Sequence, residues 1–301
     1  MAVYNNRPYV EDAVRSIMSQ TLRDIEILIV DDGSTDGTTD ILRRLAAEDG
    51  RIRLEVMAAN VQLPRALNHG LGLIRGGYVA RMDGDDIAHP DRLAIQKRYL
   101  DLHPEVVALG ASQRRMKADG QIFATDVRPR DAFMARWIMR FRSAIINPTT
   151  MFRYPMPDGS RPLFDLRFSS AQDHDFYSRL SFMGDVVALS DVVVDYRHHG
   201  ASMTYSRWKE QTANAKKISL RHMEQELPAN VRAALEPAVA AFFNLDQVPA
   251  KDVFEGFRTM VRHDVQQAPL YRAWLYRQTA QLAFETLKRA KYSKAQIALA
   301  F

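Results

Sequence analysis

Three aspartates, Asp83, Asp85 and Asp86, fall within four positions of the stretch "RMDGDDIAHP". They follow "GGYVA", which reads as the opening of a buried strand. Carboxylates packed that closely repel one another. Either they hold a cation, or they are turn residues that happen to cluster. A calcium loop of the EF-hand type needs Gly at its sixth position and Glu at its twelfth. Counted from Asp83, those positions are Ala88 and Ala94. A phosphatase-type nucleophile wants a small hydroxyl residue where Ile87 stands. The G-x-G-x-x-G of dinucleotide-binding folds is absent. What remains is an Asp-x-Asp at a strand end, Asp83-Gly84-Asp85. Mg²⁺ and Mn²⁺ bind through one or two carboxylates plus substrate phosphates. Gly84 lets the backbone turn and a ligand approach closely.

A second acidic cluster, Asp31-Asp32, opens "DDGSTDGT" directly after the Ile-rich run Ile25 to Val30. That run reads as a strand buried on both faces. Helical spacing precedes it at Tyr9, Val10, Ala13, Val14, Ile17 and Met18, and follows it at Ile41, Leu42, Leu45 and Ala46. "IRLEV" is a strand, Pro64 to Leu73 a helix, "GYVARM" a strand, and Pro90 starts a helix to about Leu102. Val106 to Leu109 is the next strand. Strands alternating with helices from Tyr4 to Gly110 predict βαβ units, a mainly parallel sheet and helices on both faces. Ligands bind such sheets at the carboxyl ends of the strands, where both acidic clusters fall. Beyond Gly110 the pattern is less regular. Asp119-Gly120 suggests a hairpin turn, Phe133 to Phe141 a helix, "TTMFRY" a strand, Asp173 to Met183 a helix, and "VVALSDVVVDYR" one or two strands. From about Ser206 onward, including Ala268 to Lys291, the signal is helical.

With 47% apolar and 26% charged residues over 301 positions, the chain has the profile of a soluble globular protein. The lack of cysteine excludes disulfides and thiolate metal sites and suits a cytoplasmic setting. No apolar run is long enough to cross a bilayer, and "MAVYNNRPYVED" does not read as a signal peptide. The net charge is +5, and its excess is local: from Tyr205 to Phe301, 15 Lys and Arg stand against 9 Asp and Glu. That is either a solvated helical surface or a contact with the inner face of an anionic membrane or with a polymer.

Several stretches together resemble the inverting glycosyltransferases of family 2, which have the GT-A fold. They are "AVYN" at 2–5, "SIMSQT" at 16–21, "EILIVDDGSTDGT" at 26–38, "ALNHGL" at 66–71, "GGYVARMDGDDIAHPDRL" at 76–93 and "YRHHGASMT" at 196–204. The resemblance covers roughly residues 1–204 and leaves 205–301 as a helical C-terminal region. It implies transfer of a sugar from a nucleotide-diphosphate donor, usually a UDP sugar, to a glycan or lipid-linked acceptor, with Mn²⁺ or Mg²⁺ as cofactor and no nucleic-acid partner. The nucleotide would be held by Val3, Tyr4, Asp31, Asp32, Arg65 and Asp83, with the Tyr4 ring on the base. The metal would sit on Asp85, with Asp83 and His199. Asp173 matches the general base, and Gln172 replaces the Glu that usually precedes it. Asp175 is the alternative base if the match slips. "NPTTMFRY", 147 to 154, falls where the floor of the acceptor pocket is expected.

Structural roles compete with these. Asp31 and Asp32 suit turn and helix capping, which Ser34 and Asp36 also supply. Asp173 suits a helix amino terminus. His69, His89 and His103 are read as surface or packing residues. A non-catalytic sugar-nucleotide binder and a nucleotidyltransferase are the rival functions, the latter lacking a Gly-rich basic loop after the first strand. Only Met1 and Ala2 precede Val3, where the family has several apolar residues, so a first strand short of ladder bonds and a lowered stability are expected.

Overall fold

The computed structural model describes residues 1–127, 130–199, 208–243 and 248–289. The chain divides into two compact units, Met1–Gln211 and Thr212–Phe301.

The first unit opens with a parallel sheet of three strands in the order β1-β2-β3: Ala2–Val3, Ile27–Asp31 and Ile52–Val56. The apolar run places Ile27, Ile29 and Val30 in the core. Helix α1 (Val10–Met18) and helix α2 (Thr38–Glu48) cover one face, and Val10, Val14, Leu42 and Leu45 pack with Val3, Ile27, Ile29 and Ile52. Helix α3 (Leu63–Leu73) has Pro64 in its first turn and brings Ala66 against Ala2 and Val30.

A second sheet holds β4 (Tyr78–Ala80), β5 (Ile87–Ala88), β6 (Val106–Lys117), β7 (Ile122–Asp126), β8 (Met151–Arg153) and β9 (Asp185–His198). Its order is β4-β8-β6-β9-β5, with β7 beside β6. Only β6 and β9 run parallel there; β4 pairs antiparallel with β8. The parallel pattern expected up to Gly110 therefore ends at β3. Strand β4 takes its partner from residues 151–153, far along the chain, which local periodicity does not report. "VVALSDVVVDYR" is one long strand whose register against β6 shifts between Gly110 and Gln113. The Asp119-Gly120 turn closes the β6–β7 hairpin, with Gly120 at φ +90°. Helices α4 (Arg92–Leu102), α5 (Ala132–Met139) and α6 (Gln172–Leu180) complete the layers.

The second unit is helical. Helix α7 (Trp208–Glu226) leads into it, followed by α8 (Ala229–Phe242), α9 (Ala250–Gln267) and α10 (Arg272–Arg289). Leu235, Ala238 and Val239 of α8 and Val253, Phe257 and Met260 of α9 are buried. Gly256 lets these two helices approach: a Cβ there would lie 2.7 Å from Ala234 O. Among the described residues no helix is long and apolar enough to cross a membrane.

Candidate active site

The carboxyl ends of β1, β2 and β4 and the end of β9 carry most of the residues singled out in the sequence. β1 delivers Tyr4, which is 46% exposed although Val3 beside it is buried. The segment after it is laced to the turn after β2. Asn5 N donates to Ser34 Oγ, Asn6 N to Thr38 Oγ1 and Arg7 N to Asp36 Oδ2, at 2.9, 2.9 and 3.0 Å. The hydroxyl and acidic residues of "DDGSTDGT" thus hold the backbone under Tyr4.

Asp31 and Asp32 have different surroundings. Asp31 is fully buried; it accepts from Ser34 N at 3.0 Å and from the Thr39 hydroxyl. Its carboxylate shapes the turn, the capping role weighed against nucleotide contact. Asp32 accepts from Val61 N at 2.7 Å and so draws the loop before α3 to the strand end. Burial pushes its carboxyl above the ordinary range, against the pull of the Val61 and Gln62 amides. Arg65 lies exposed in the first turn of α3.

The acidic loop between β4 and β5 packs against β1. A Cβ on Gly84 would meet Val3 Cγ1 and Asn6 Nδ2, both at 2.7 Å. Only glycine allows that approach. Asp83 is ion-paired with Arg81, whose side chain is 5% exposed. Asp85 Oδ2 lies 2.8 Å from His199 Nε2. Burial, and next the Asp83 charge, raise the Asp85 carboxyl above its usual range, while His199 pulls it back. Asp86 is fully buried and accepts from Arg197 N at 2.8 Å. Burial and its two acidic neighbours hold its carboxyl well above the ordinary range. Arg197 also donates to Asp85 O and Ala118 O, and its guanidinium lies 4.7 Å from the Tyr9 ring centre. The Tyr9 and His199 rings are 5.0 Å apart.

Among the described residues no three His, Asp or Glu side chains form a ready-made metal cage. The donor set is two carboxylates, Asp83 and Asp85, with one imidazole. It fits a hard dication whose shell is completed by substrate phosphates. Asp173 stands in the first turn of α6, half-buried. Burial raises its carboxyl, and Arg81 lowers it. Asp175, the alternative base, is fully buried and ion-paired with Arg179 at 2.9 Å, a packing position.

Other expectations resolve into packing. Thr149 and Thr150 of "NPTTMFRY" are fully buried; the Thr149 hydroxyl serves Ile146 O and Ala111, so this part of the stretch is core. His89 pairs with Asp195, and His103 with Glu105. The end of "YRHHGASMT", from Gly200, and the boundary expected at 204 lie outside the described residues.

Sequence reasoning passed over three arginines. Arg81 is ion-paired with Asp83, and its charge lowers the Asp173 carboxyl. Arg92, fully buried, donates to Arg81 O at 2.6 Å, to Met82 Sδ at 3.0 Å and to Gln96 Oε1 at 3.1 Å. Arg197 grips the far side of the acidic loop. Their signal was present: cations flank an acidic run that must be partly buried. Their burial was not.

The glycosyl transferase family 2 model matches residues 1–157. An uncharacterized glycosyltransferase of Haemophilus influenzae is 30% identical over 72% of this chain and 70% of its own. A chondroitin synthase of Escherichia coli is 27% identical over 71% of this chain but only 31% of that protein. S. aureus TarS 1-349, solved with UDP-GlcNAc, superposes with a TM-score of 0.64 at 15% identity, covering 96% of this chain and 89% of that one. The mannosyltransferase PcManGT of Pyrobaculum calidifontis, solved with GDP-Man and Mn²⁺, gives 0.57 at 19%, covering 99% and 81%. The fold of these neighbours is GT-A, the class read from the sequence.

Proposed function

Because the chain belongs to glycosyl transferase family 2 and is a glycosyltransferase, we propose that it moves a sugar from a nucleoside-diphosphate sugar to an acceptor hydroxyl, with inversion at the anomeric carbon. The observation that carries this is the meeting of Tyr4, Asp32 and the Asp83–Asp85–His199 group at the strand ends, with Asp173 linked to them through Arg81. The exposed Tyr4 ring stacks on the base, and Asp32 and Arg65 contact the nucleotide. UDP is the first candidate, supported by the UDP-GlcNAc complex of TarS; the GDP-Man complex of PcManGT keeps guanosine in play.

Mn²⁺ or Mg²⁺ would be held by Asp85 with Asp83, His199 beside them, and would supply positive charge for the leaving diphosphate. Asp173, whose carboxyl the His174 amide and Arg81 pull down against the effect of burial, takes the proton of the acceptor hydroxyl. That oxygen attacks the anomeric carbon on the face opposite the diphosphate, so the configuration inverts without a covalent enzyme intermediate. The chondroitin synthase relative, and a relative named for teichuronic acid biosynthesis, TuaG of Bacillus subtilis, support a glycan or lipid-linked acceptor in envelope polysaccharide assembly. The basic residues after Tyr205 would then meet an anionic membrane; salt-sensitive partition onto anionic vesicles tests that.

The primary experiment is thermal unfolding with UDP or GDP, with and without Mn²⁺, on the natural chain and on Asp85→Ala. A nucleotide at 100 times its Kd adds about 2.7 kcal/mol. Metal-dependent stabilisation that Asp85→Ala abolishes is the expected result. No shift with either nucleotide, with or without metal, defeats the reading.

A further inference from the structure

The corner between α9 and α10, within the second unit, passes through a short 3-10 turn, Pro269–Tyr271. Leu270 stands at its tip, 97% exposed. A lone exposed leucine is ordinary; the surroundings of this one are not. From Val265 to Phe284 the chain runs 20 residues without Asp or Glu, and it carries Arg272 and Arg277 there. The same stretch holds four aromatic residues, Tyr271, Trp274, Tyr276 and Phe284. Helix α10 turns Leu275, Leu282, Ala283, Thr286 and Leu287 inward. With about 3.6 residues per turn, its outward stripe is Ala273, Arg277, Ala280, Phe284 and Lys288, all exposed. Tyr276 and Phe284 are 47% and 50% exposed. The Arg272 guanidinium lies 6.0 Å from the Tyr276 ring centre, and the Tyr271 and Trp274 rings are 6.5 Å apart. The acids that bound the stretch are engaged. Asp264 is buried beside His263, and Glu285 accepts from Gln281 Nε2 at 2.9 Å.

Unopposed cations attract an anionic partner, and a projecting leucine with half-exposed rings favours one that takes them out of water. An anionic polysaccharide meets the cations and leaves Leu270 wet. A lipid surface meets both, and Tyr and Trp favour its interface. We propose that the α9–α10 corner docks on an anionic lipid surface. Leu270 enters the boundary of the acyl chains, the exposed rings lie at the level of the headgroups, and Arg272 and Arg277 meet lipid phosphates. This narrows to one corner the membrane contact proposed above, on which it rests, and it is independent of the donor site.

The chain has no cysteine, so a single one can be labelled. Leu270→Cys and, as control, Leu102→Cys, at a 67% exposed position of the first unit, are coupled to the environment-sensitive dye NBD. Each is mixed with vesicles of phosphatidylcholine, with or without phosphatidylglycerol. The dye at 270 should brighten several-fold on the anionic vesicles only, and the dye at 102 on neither. In vesicle flotation Leu270→Asp should weaken binding by on the order of tenfold. Its Tm should match that of the natural chain, because the side chain it replaces lies in water. Arg272→Gln with Arg277→Gln should weaken binding about 30-fold at low salt. That loss should fade at high salt, while the Leu270 effect persists. Equal binding by the natural chain and Leu270→Asp overturns the corner and leaves a diffuse basic contact. No binding to anionic vesicles at low salt overturns the membrane contact altogether, and nucleotide-dependent stabilisation, measured without lipid, still decides the donor site. A natural chain that binds no vesicle but sediments as a dimer, which Leu270→Asp dissociates, gives the corner to a second copy and overturns lipid docking.

Discussion

Asp85 Oδ2 and His199 Nε2 lie 2.8 Å apart although 114 positions separate them in the chain. The contact joins the loop after β4 to the end of β9, and Arg197 fastens it from behind through Asp85 O. His199 therefore touches the group proposed to hold the cation and also steadies it. His199→Ala is expected to weaken metal-dependent stabilisation by UDP about tenfold in apparent metal affinity, while metal-free stability at pH 7 changes by under about 1 kcal/mol. A manganese titration followed by thermal unfolding checks both.

Asp173→Asn should lower sugar transfer by roughly 10²–10⁴-fold and leave UDP stabilisation intact. A general base works ionised, and burial raises the Asp173 carboxyl. The acid limb of kcat/KM should thus lie above the ordinary carboxylate range, activity rising as pH rises through it. A limb at or below pH 4, near the unperturbed value, would count against Asp173 as base.

Arg81→Met removes the cation between Asp83 and Asp173. Breaking a buried pair this way costs about 3 kcal/mol. Loss of the positive neighbour should also move the acid limb of activity to higher pH, a shift that mere destabilisation does not produce. Urea unfolding and a pH–rate profile on the same variant separate the two effects.

Gly84→Ala puts a methyl group 2.7 Å from both Val3 Cγ1 and Asn6 Nδ2. Overpacking of this kind costs about 1–3 kcal/mol. Because the loop must shift, metal-dependent UDP stabilisation should fall with it. A variant with unchanged Tm and unchanged nucleotide response would show that the loop does not pack on β1.

Asp195 offers a test of pH-dependent stability away from the donor site. Burial raises its carboxyl, but His89 and Arg114 outweigh that and bring it to about 2. A depressed carboxylate stabilises above its unfolded value near pH 4 and loses that contribution as pH falls toward 2. Arg114 is 41% exposed, so solvent screens the pair. Asp195→Asn should cost about 1–2 kcal/mol at pH 7, a difference that fades between pH 4 and 2 in acid unfolding.

What the sequence determined by itself was local. Ile25 to Val30 is apolar enough to be a buried strand whatever surrounds it, and "DDGSTDGT" and "MDGDD" end strands because Gly and Asp make turns. The alternation of strands with helices places both acidic groups at the carboxyl ends of strands. Long-range pairing decided the rest. Asp31 and Asp32 are identical neighbours in the sequence, yet one serves the turn through Ser34 and Thr39 and the other meets Val61. Strand β4 pairs with β8, because the partner of an edge comes from residues far along the chain. Nothing local in the sequence marks Arg81, Arg92 and Arg197 as buried; the fold does that. Burial and cross-strand contact are properties of the assembled layers, and a charge counts for far more once water is removed from around it.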